Sequence, residues 1–441
     1  MIMKRKYRLA CVVLLAFWIV CGANGIATAK VYIDIDAPGF QQFPIAVSDF
    51  QIKNPQPGKS SDLNIALADH IRSCLNLSGI FNVLDKKSFL DSPEPGLSEI
   101  IHFPDWTLIG ADFLLRGDVI VRGGNVDAVS RLYDVTRGQM LFNKQYSGKN
   151  DDLPAIARSI AGDILFALAG DKGDFNSKIA FVIKKNGKQD IYTINYDASD
   201  LKNLTGHQSI VVAPRWSPDG QYFAFTSYKS GRPEVYLRSL KTGKEKKVSS
   251  FSGLNLCGSF SPDSKKLLLT LSKDGNEEIY SLDIDTLALQ RLTRGYSIDV
   301  SPAWSPCGKK IAFVSNRSGS PQIFTMDADG NNVKRITYAG NYNTSPSWSP
   351  RGGRIAYEGL MNHRYQIFSV DEEGNNPIQL TFDNADNEYP SWSPSGRQIV
   401  FSSRQGSKSR ISIINSNGLN TRVLKEDNSH LVMPAWSPGF Q

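Results

Sequence analysis

The sequence is poor in the residues that most often carry chemistry. Its five histidines, His70, His102, His207, His363 and His430, stand far apart, with no ligand spacing and no cysteine beside them, so no metal site is predicted. Of the few cysteines, only Cys74, Cys257 and Cys307 lie beyond the first apolar run. That odd number, without paired spacing, excludes a disulfide scaffold. Cys74 falls on the apolar face of a predicted helix and reads as a small core residue. Neither G-x-S-x-G nor H-E-x-x-H occurs, which removes two common hydrolase signatures. Long apolar runs are missing too: none reaches the roughly 18–20 residues that a membrane span requires. Charge of one sign is scarce. Of the net +7, four charges come from Lys4, Arg5, Lys6 and Arg8, and the rest is too mild for a nucleic-acid or membrane surface.

Those basic residues precede "LACVVLLAFWIV", and Ala27-Thr28-Ala29 supplies a small-x-small pattern before Lys30. This reads as a secretion signal cleaved after Ala29, leaving an exported chain with no membrane insertion. Cys21 raises a lipoprotein reading, but Val20 stands where a lipid-attachment site wants a small residue.

What the chain has in abundance is repetition. An aromatic before Ser-Pro recurs at Trp216, Phe260, Trp304, Trp348, Trp392 and Trp436, each step being 44 residues. Ile191, Val235, Ile279, Ile323, Ile367 and Ile411 form a second column at the same spacing. Leu204, Val248, Leu292, Ile336, Leu380 and Leu424 form a third, mostly followed by Thr or Ser. Each unit holds four short alternating segments separated by Gly, Asp, Asn and Pro, as in "PAWS", "KIAFVSN", "QIFTMD" and "VKRIT". Four strands per repeat of this length predict the blade of a β-propeller. The segment Asp327–Asn332, "DADGNN", mimics part of a calcium loop. Its twelfth position is Tyr338, so a hairpin turn is predicted instead.

The last copy stops at "PAWSPGFQ", before its second strand, whereas Lys178–Tyr196 supplies second and third strands with no first. The C-terminal strand therefore completes the first blade and removes two exposed sheet edges. The predicted organisation is a signal peptide at 1–29, an α+β domain at 30–170, a linker at 171–176 and a closed, all-β six-bladed propeller at 177–441. In the first domain, "VYIDI", "FPIAVSDF" and "IFNVLD" read as strands. "GADFLLRGDVIV", "VDAVSRLYDV" and "QMLFNKQYS" read as antiparallel strands. "SSDLNIALADHIRSCLNLSG" and "DDLPAIARSIAGDILFALAG" read as helices with a Ser/Asp start and a Gly stop.

A secretion signal, a small α+β domain and six W-S-P-type repeats, in that order, resemble the TolB family of the Tol–Pal system. "PIAVSDF", "GADFLLRGDV", "SRLYDVTRGQMLFNKQY" and "AGDKGDFNSKIAFV" are similar to stretches of that family's amino-terminal domain and junction. The resemblance covers essentially the whole mature chain. It implies a monomeric, non-catalytic periplasmic binding protein without cofactor or metal. One mouth of the propeller would dock the lipoprotein Pal, and the mature N-terminus would engage TolA, in support of outer-membrane integrity and constriction at division. By the family's pattern the Pal face comprises Leu254, Asn255, Cys257, Asp299, Val300, Asn343, Thr344, Glu388 and Tyr389. The TolA segment is Lys30, Val31, Tyr32, Ile33, Asp34, Ile35 and Asp36, which alternates like a strand suited to β-addition. Cys257 stands before Gly258, where the other repeats place Pro. The loops between each fourth strand and the next first strand differ in every repeat, which suggests a specific surface. Two other readings are weighed: a propeller that binds a small ligand in its tunnel, and an accessory module of a separate hydrolase.

Overall fold

The computed structural model describes residues 40–53, 62–89 and 101–440. The predicted signal, its cleavage at Ala29 and the segment Lys30–Asp36 lie outside the described residues, as does the expected strand "VYIDI".

The amino-terminal sheet is mixed. Its strands are β1 (Phe43–Val47), β2 (Gln51–Ile52), β3 (Phe81–Val83), β4 (Phe113–Arg122), β5 (Asn125–Asp134) and β6 (Gln139–Lys149). The order is β3-β1-β4-β5-β6, with β2 beside β4. β1 runs parallel to β3 and β4, while β4, β5 and β6 form the predicted antiparallel meander. Helices α1 (Leu63–Ser78) and α3 (Leu153–Ala169) cover one face. Their apolar positions, among them Leu67, Ile71, Ile160 and Ile164, are fully buried with Leu115 and Val119 of the sheet. Gly79 ends α1 in a left-handed conformation, φ 67°, the role for which glycine is suited. Asp62, at the expected start of α1, makes no side-chain capping bond. A short helix, α2 (Phe103–Leu108), was not expected. Its six residues bury only Trp106, too little to show a helical period in the sequence.

Six four-stranded sheets follow, one per repeat. Five have consecutive strands, with first strands at Val211–Trp216, Asn255–Phe260, Asp299–Trp304, Asn343–Trp348 and Asp386–Trp392 (blades two to six). Blade one is composite, as the truncated repeat implies. His430–Trp436 pairs antiparallel with Lys178–Lys185, with Leu431 opposite Ile183 and Trp436 opposite Ile179. The seam is also tied by side chains: Ser437 Oγ accepts from the Lys178 amide at 2.8 Å, and Trp436 Nε1 donates to Ser177 Oγ at 2.7 Å.

The tryptophan column does more than fill space. Trp216, Trp348 and Trp392 each donate Nε1 to a carbonyl of the preceding blade, at Ala435, Ala303 and Ser347, over 3.0–3.1 Å. Each first strand also carries a bulge one to three residues before its aromatic. There Ala213, Ser301, Ser345, Tyr389 and Met433, each before Pro, adopt φ of 53–57°. Cys257, before Gly258, is not among the positive-φ residues.

The amino-terminal domain packs on blades one and six at the end that carries the turns between first and second strands and between third and fourth. Gln398 Nε2 donates to the carbonyls of Leu77 and Ser78 at the end of α1, over 2.8 and 3.1 Å. Arg158 of α3 pairs with Asp197 at 2.6 Å. Asp174 accepts from the Ser395 amide and hydroxyl, and Arg397 Nη1 meets Asp171 at 2.7 Å. Phe175 is buried edge-on to Tyr196. The stretch between the domains is thus packed, and the core of α1 and α3 runs without a break into Ile411, Ile413 and Trp436. Among the described residues no helix is long and apolar enough to cross a membrane.

Candidate docking face of the propeller

The connections from each fourth strand to the next first strand emerge together at the mouth opposite the amino-terminal domain. The threonine of the third column explains how they are held. Thr337 Oγ1 accepts from the Ile323 amide at 2.9 Å and donates to Gln322 Oε1 at 2.8 Å. Thr381 does the same with Ile367 and Gln366, and Thr293 with Ile279 and Glu278. One hydroxyl therefore closes a strand end and anchors the start of its loop. The far end of three loops is tied by a buried amide. Asn255 accepts from the Phe251 amide and donates to the Phe251 and Gly253 carbonyls. Asn343 donates to Ala339 O and Gln322 Oε1, each at 2.8 Å. Asn387 donates to Asp383 and Gln366. In blade four Asp299 takes this position and instead accepts from Arg317 at 2.8 and 3.0 Å.

Asn255, Cys257, Asp299 and Asn343, predicted for the docking face, are accordingly buried, and two of them, Asn255 and Asn343, hold the loops from beneath. Burial pushes the Cys257 thiol up to about 12, so it is an inert packing group. Leu254, Val300, Thr344, Glu388 and Tyr389 are half-buried at the rim. Three of these meet at the boundary of blades five and six. Glu358 accepts from the Thr344 hydroxyl at 2.5 Å and the Tyr389 amide at 2.7 Å. Burial, and then the nearby Glu358 and Asp386 carboxylates, raise the Glu388 carboxyl to about 7.

What sequence reading missed is the set of side chains that project from these loops. Tyr296 is fully exposed, Phe382 is 77% and Tyr338 65% exposed, and Phe251, Ile298 and Tyr342 are also open to solvent. They span the connections between blades two and six. Their signal was one or two bulky residues in each of several otherwise polar loops, but nothing in the sequence said which would point outward.

One constellation imitates a catalytic triad. His207 Nδ1 meets Ser227 Oγ at 2.9 Å and Nε2 meets Glu245 at 3.0 Å. Ser227 is 0% exposed and Lys229 also pairs with Glu245, so the hydroxyl faces no cleft that could admit a substrate. The arrangement ties the loop before blade two to that blade. Among the described residues no three His, Cys, Asp or Glu stand close enough to hold a metal. The segment Asp327–Asn332 is the predicted turn, with Asn332 donating to Asp327.

Against known families, residues 166–440 match the TolB β-propeller domain and residues 31–141 the TolB amino-terminal domain. The chain belongs to the TolB family. The Tol–Pal system protein TolB of Syntrophus aciditrophicus is 47% identical over 201 residues, 44% of either chain. That of Syntrophotalea carbinolica is 37% identical over 202 residues, 44% of this chain and 46% of the relative. The chain therefore matches just under half the length of these curated TolB proteins. The crystal structure of TolB from Acinetobacter baumannii superposes with a TM-score of 0.78 at 29% identity, over 90% of this chain and 97% of that one. The expected α+β domain and six-bladed propeller are thus those of the TolB family.

Proposed function

We propose that this chain is a periplasmic scaffold that docks the lipoprotein Pal on the loop-bearing propeller mouth. It presents its mature N-terminal segment, Lys30 to Asp36, to TolA. The observation that carries the reading is the division of labour at the mouth. Buried Asn and Thr side chains repeat from blade to blade and fix the loops, while exposed aromatics differ from loop to loop. Rigid, non-repeating aromatic surface is costly to leave in water and is what anchors a protein interface. In this reading Asn255, Cys257, Asp299 and Asn343 shape the face. Leu254, Val300, Thr344, Glu388 and Tyr389 line its inner rim, and Tyr296, Tyr338 and Phe382 form its outer contact. The amino-terminal domain packs on the other end of the propeller, away from this mouth. The matched family and the Tol–Pal names of the relatives support the same reading.

Calorimetric titration of the mature chain with soluble Pal tests it. Binding is expected at micromolar Kd or tighter. Tyr296→Ala combined with Phe382→Ala should weaken it by roughly thirtyfold or more, the effect of losing about 2 kcal/mol of anchor contact. Both residues are exposed, so the melting temperature should stay unchanged. Full-strength binding by the double variant would move the interface elsewhere, and absence of binding with folded partners would remove the Pal reading.

A further inference from the structure

The first strands form the inner ring of the propeller, each in contact with the next from blade one round to blade six. Just before the aromatic column, six residues spaced 44 apart stand at one level of this ring: Arg215, Ser259, Ala303, Ser347, Ser391 and Ala435. Five are small and one is a long cation. Arg215 and the three serines keep partial contact with solvent, so water reaches this level of the axial tunnel. Among the described residues, Arg215 makes a single hydrogen bond, from Nη1 to the Pro214 carbonyl at 2.8 Å, and no carboxylate pairs with it. Enclosure pushes its guanidinium down from the ordinary value. A cation so placed is costly to hold unless an anion meets it.

The rest of this level gives protons rather than taking them. Ser259 Oγ accepts from the Trp304 amide at 2.7 Å and Ser391 Oγ from the Trp436 amide at 3.0 Å, which leaves each hydroxyl its own proton to donate. At the equivalent place round the ring, the amides of Trp216, Phe260 and Trp348 follow Ala435, Arg215 and Ala303, whose side chains offer no acceptor. The carbonyls of Ala303, Ser347 and Ala435 are already taken by tryptophan indoles. Glu388, the acid of these strands closest to the level in sequence, stands three residues before Ser391, nearer the loop-bearing mouth. Donors gathered round one unpaired guanidinium select a negative ligand, and the planar fork of arginine matches the paired oxygens of carboxylate and phosphate. We propose that the propeller tunnel binds a small oxyanion, of carboxylate or phosphate type, on Arg215. The Ser259, Ser347 and Ser391 hydroxyls complete its shell, directly or through water. The site lies on the propeller axis, below the loop-bearing mouth, and does not depend on the docking reading.

The test uses the full mature chain in chloride buffer of fixed ionic strength, with inorganic phosphate and acetate as separate probes. Phosphate at about ten times its Kd should shift the folding equilibrium about elevenfold, roughly 3–6 °C in Tm. A response to only one of the two probes would support the site and assign its oxyanion class. Arg215→Gln removes an unpaired, enclosed charge, so without oxyanion it should melt no lower than the native chain, and it should lose the response to the probes. Arg215→Lys keeps the charge without the fork and should bind phosphate severalfold more weakly by calorimetric titration, a comparison that decides the matter even if the Gln variant fails to fold. An arginine with a purely structural role would instead make Arg215→Gln melt lower by the same amount with and without phosphate. That result would overturn the proposal, as would a native chain indifferent to both probes. So would an equal response in the Gln variant, the mark of a salt effect on the whole surface.

Discussion

Deleting Pro434 to Gln441 removes the half of the closing strand that holds Trp436, and the effect can be scaled from the contacts of that one side chain. Trp436 is 6% exposed and packs with Tyr196, Ile179 and the core shared with α1 and α3. Truncating a buried Trp to Ala costs about 3–5 kcal/mol. The lost bond from Nε1 to Ser177 adds roughly 1 kcal/mol, because Ser177 keeps its own bond to the Asp174 carbonyl. Trp436→Ala should therefore cost about 4–6 kcal/mol, or roughly 8–20 °C in Tm for a domain of this size. Trp348→Ala is the matched control, since Trp348 is 8% exposed and donates to the Ala303 carbonyl inside a covalently continuous pair of blades. The two variants should agree within about 1 kcal/mol if the seam is as tight as an ordinary blade boundary. The deletion should exceed both, because it also exposes the edge of Lys178–Lys185 and loses the Ser437 bonds. Urea denaturation followed by tryptophan fluorescence and circular dichroism measures all three. A deletion variant that melts with the intact chain, or a Trp436→Ala cost below half that of Trp348→Ala, would refute the closure as a source of stability.

Three further outcomes follow from buried groups. Glu388 titrates at about 7 in the folded chain against an ordinary 4.5, so the unfolded chain releases this proton first. Stability is then whole below pH 4.5 and falls as pH rises towards 7. Glu388→Gln should thus gain on the native chain between pH 5 and pH 8, by on the order of 1–2 kcal/mol after screening of a partly open group. Equal differences in urea stability at the two pH values would remove that burial effect. Gln398→Ala strips two donors from the end of α1 and should cost about 1–3 kcal/mol. Calorimetry should then show the amino-terminal domain beginning to separate from the propeller transition, whereas a single unshifted transition would show that the contact is dispensable. Of the thiols, exposed Cys307 has its pKa lowered by the Ser305 hydroxyl, while burial raises Cys74 and Cys257 to about 12. A disulfide reagent should label Cys307 rapidly in the native chain and the other two only on unfolding; fast labelling of Cys257 would contradict its burial.

The repeat architecture was legible because a blade is built from local hairpins. The aromatic, the third-strand aliphatic and the fourth-strand aliphatic occupy equivalent places every 44 residues, so the period, the blade count and the incomplete last copy all followed from the order of residues. Gly79 and Gly170 likewise marked helix ends, because only their backbone freedom mattered. Side-chain partnership between neighbouring strands was not legible. Thr337 reads as an ordinary strand-end residue until the blade brings Gln322 and the Ile323 amide beside it. Asn255 and Asn343 look like solvated loop residues, yet they are buried and hold the loops. Tyr296, Tyr338 and Phe382 look like core aromatics, yet they point into water. Burial and exposure in a loop depend on which side chains meet across blade boundaries, and no spacing along the chain encodes that. The choice of propeller end occupied by the amino-terminal domain was likewise settled only when α1 and α3 packed on blades one and six.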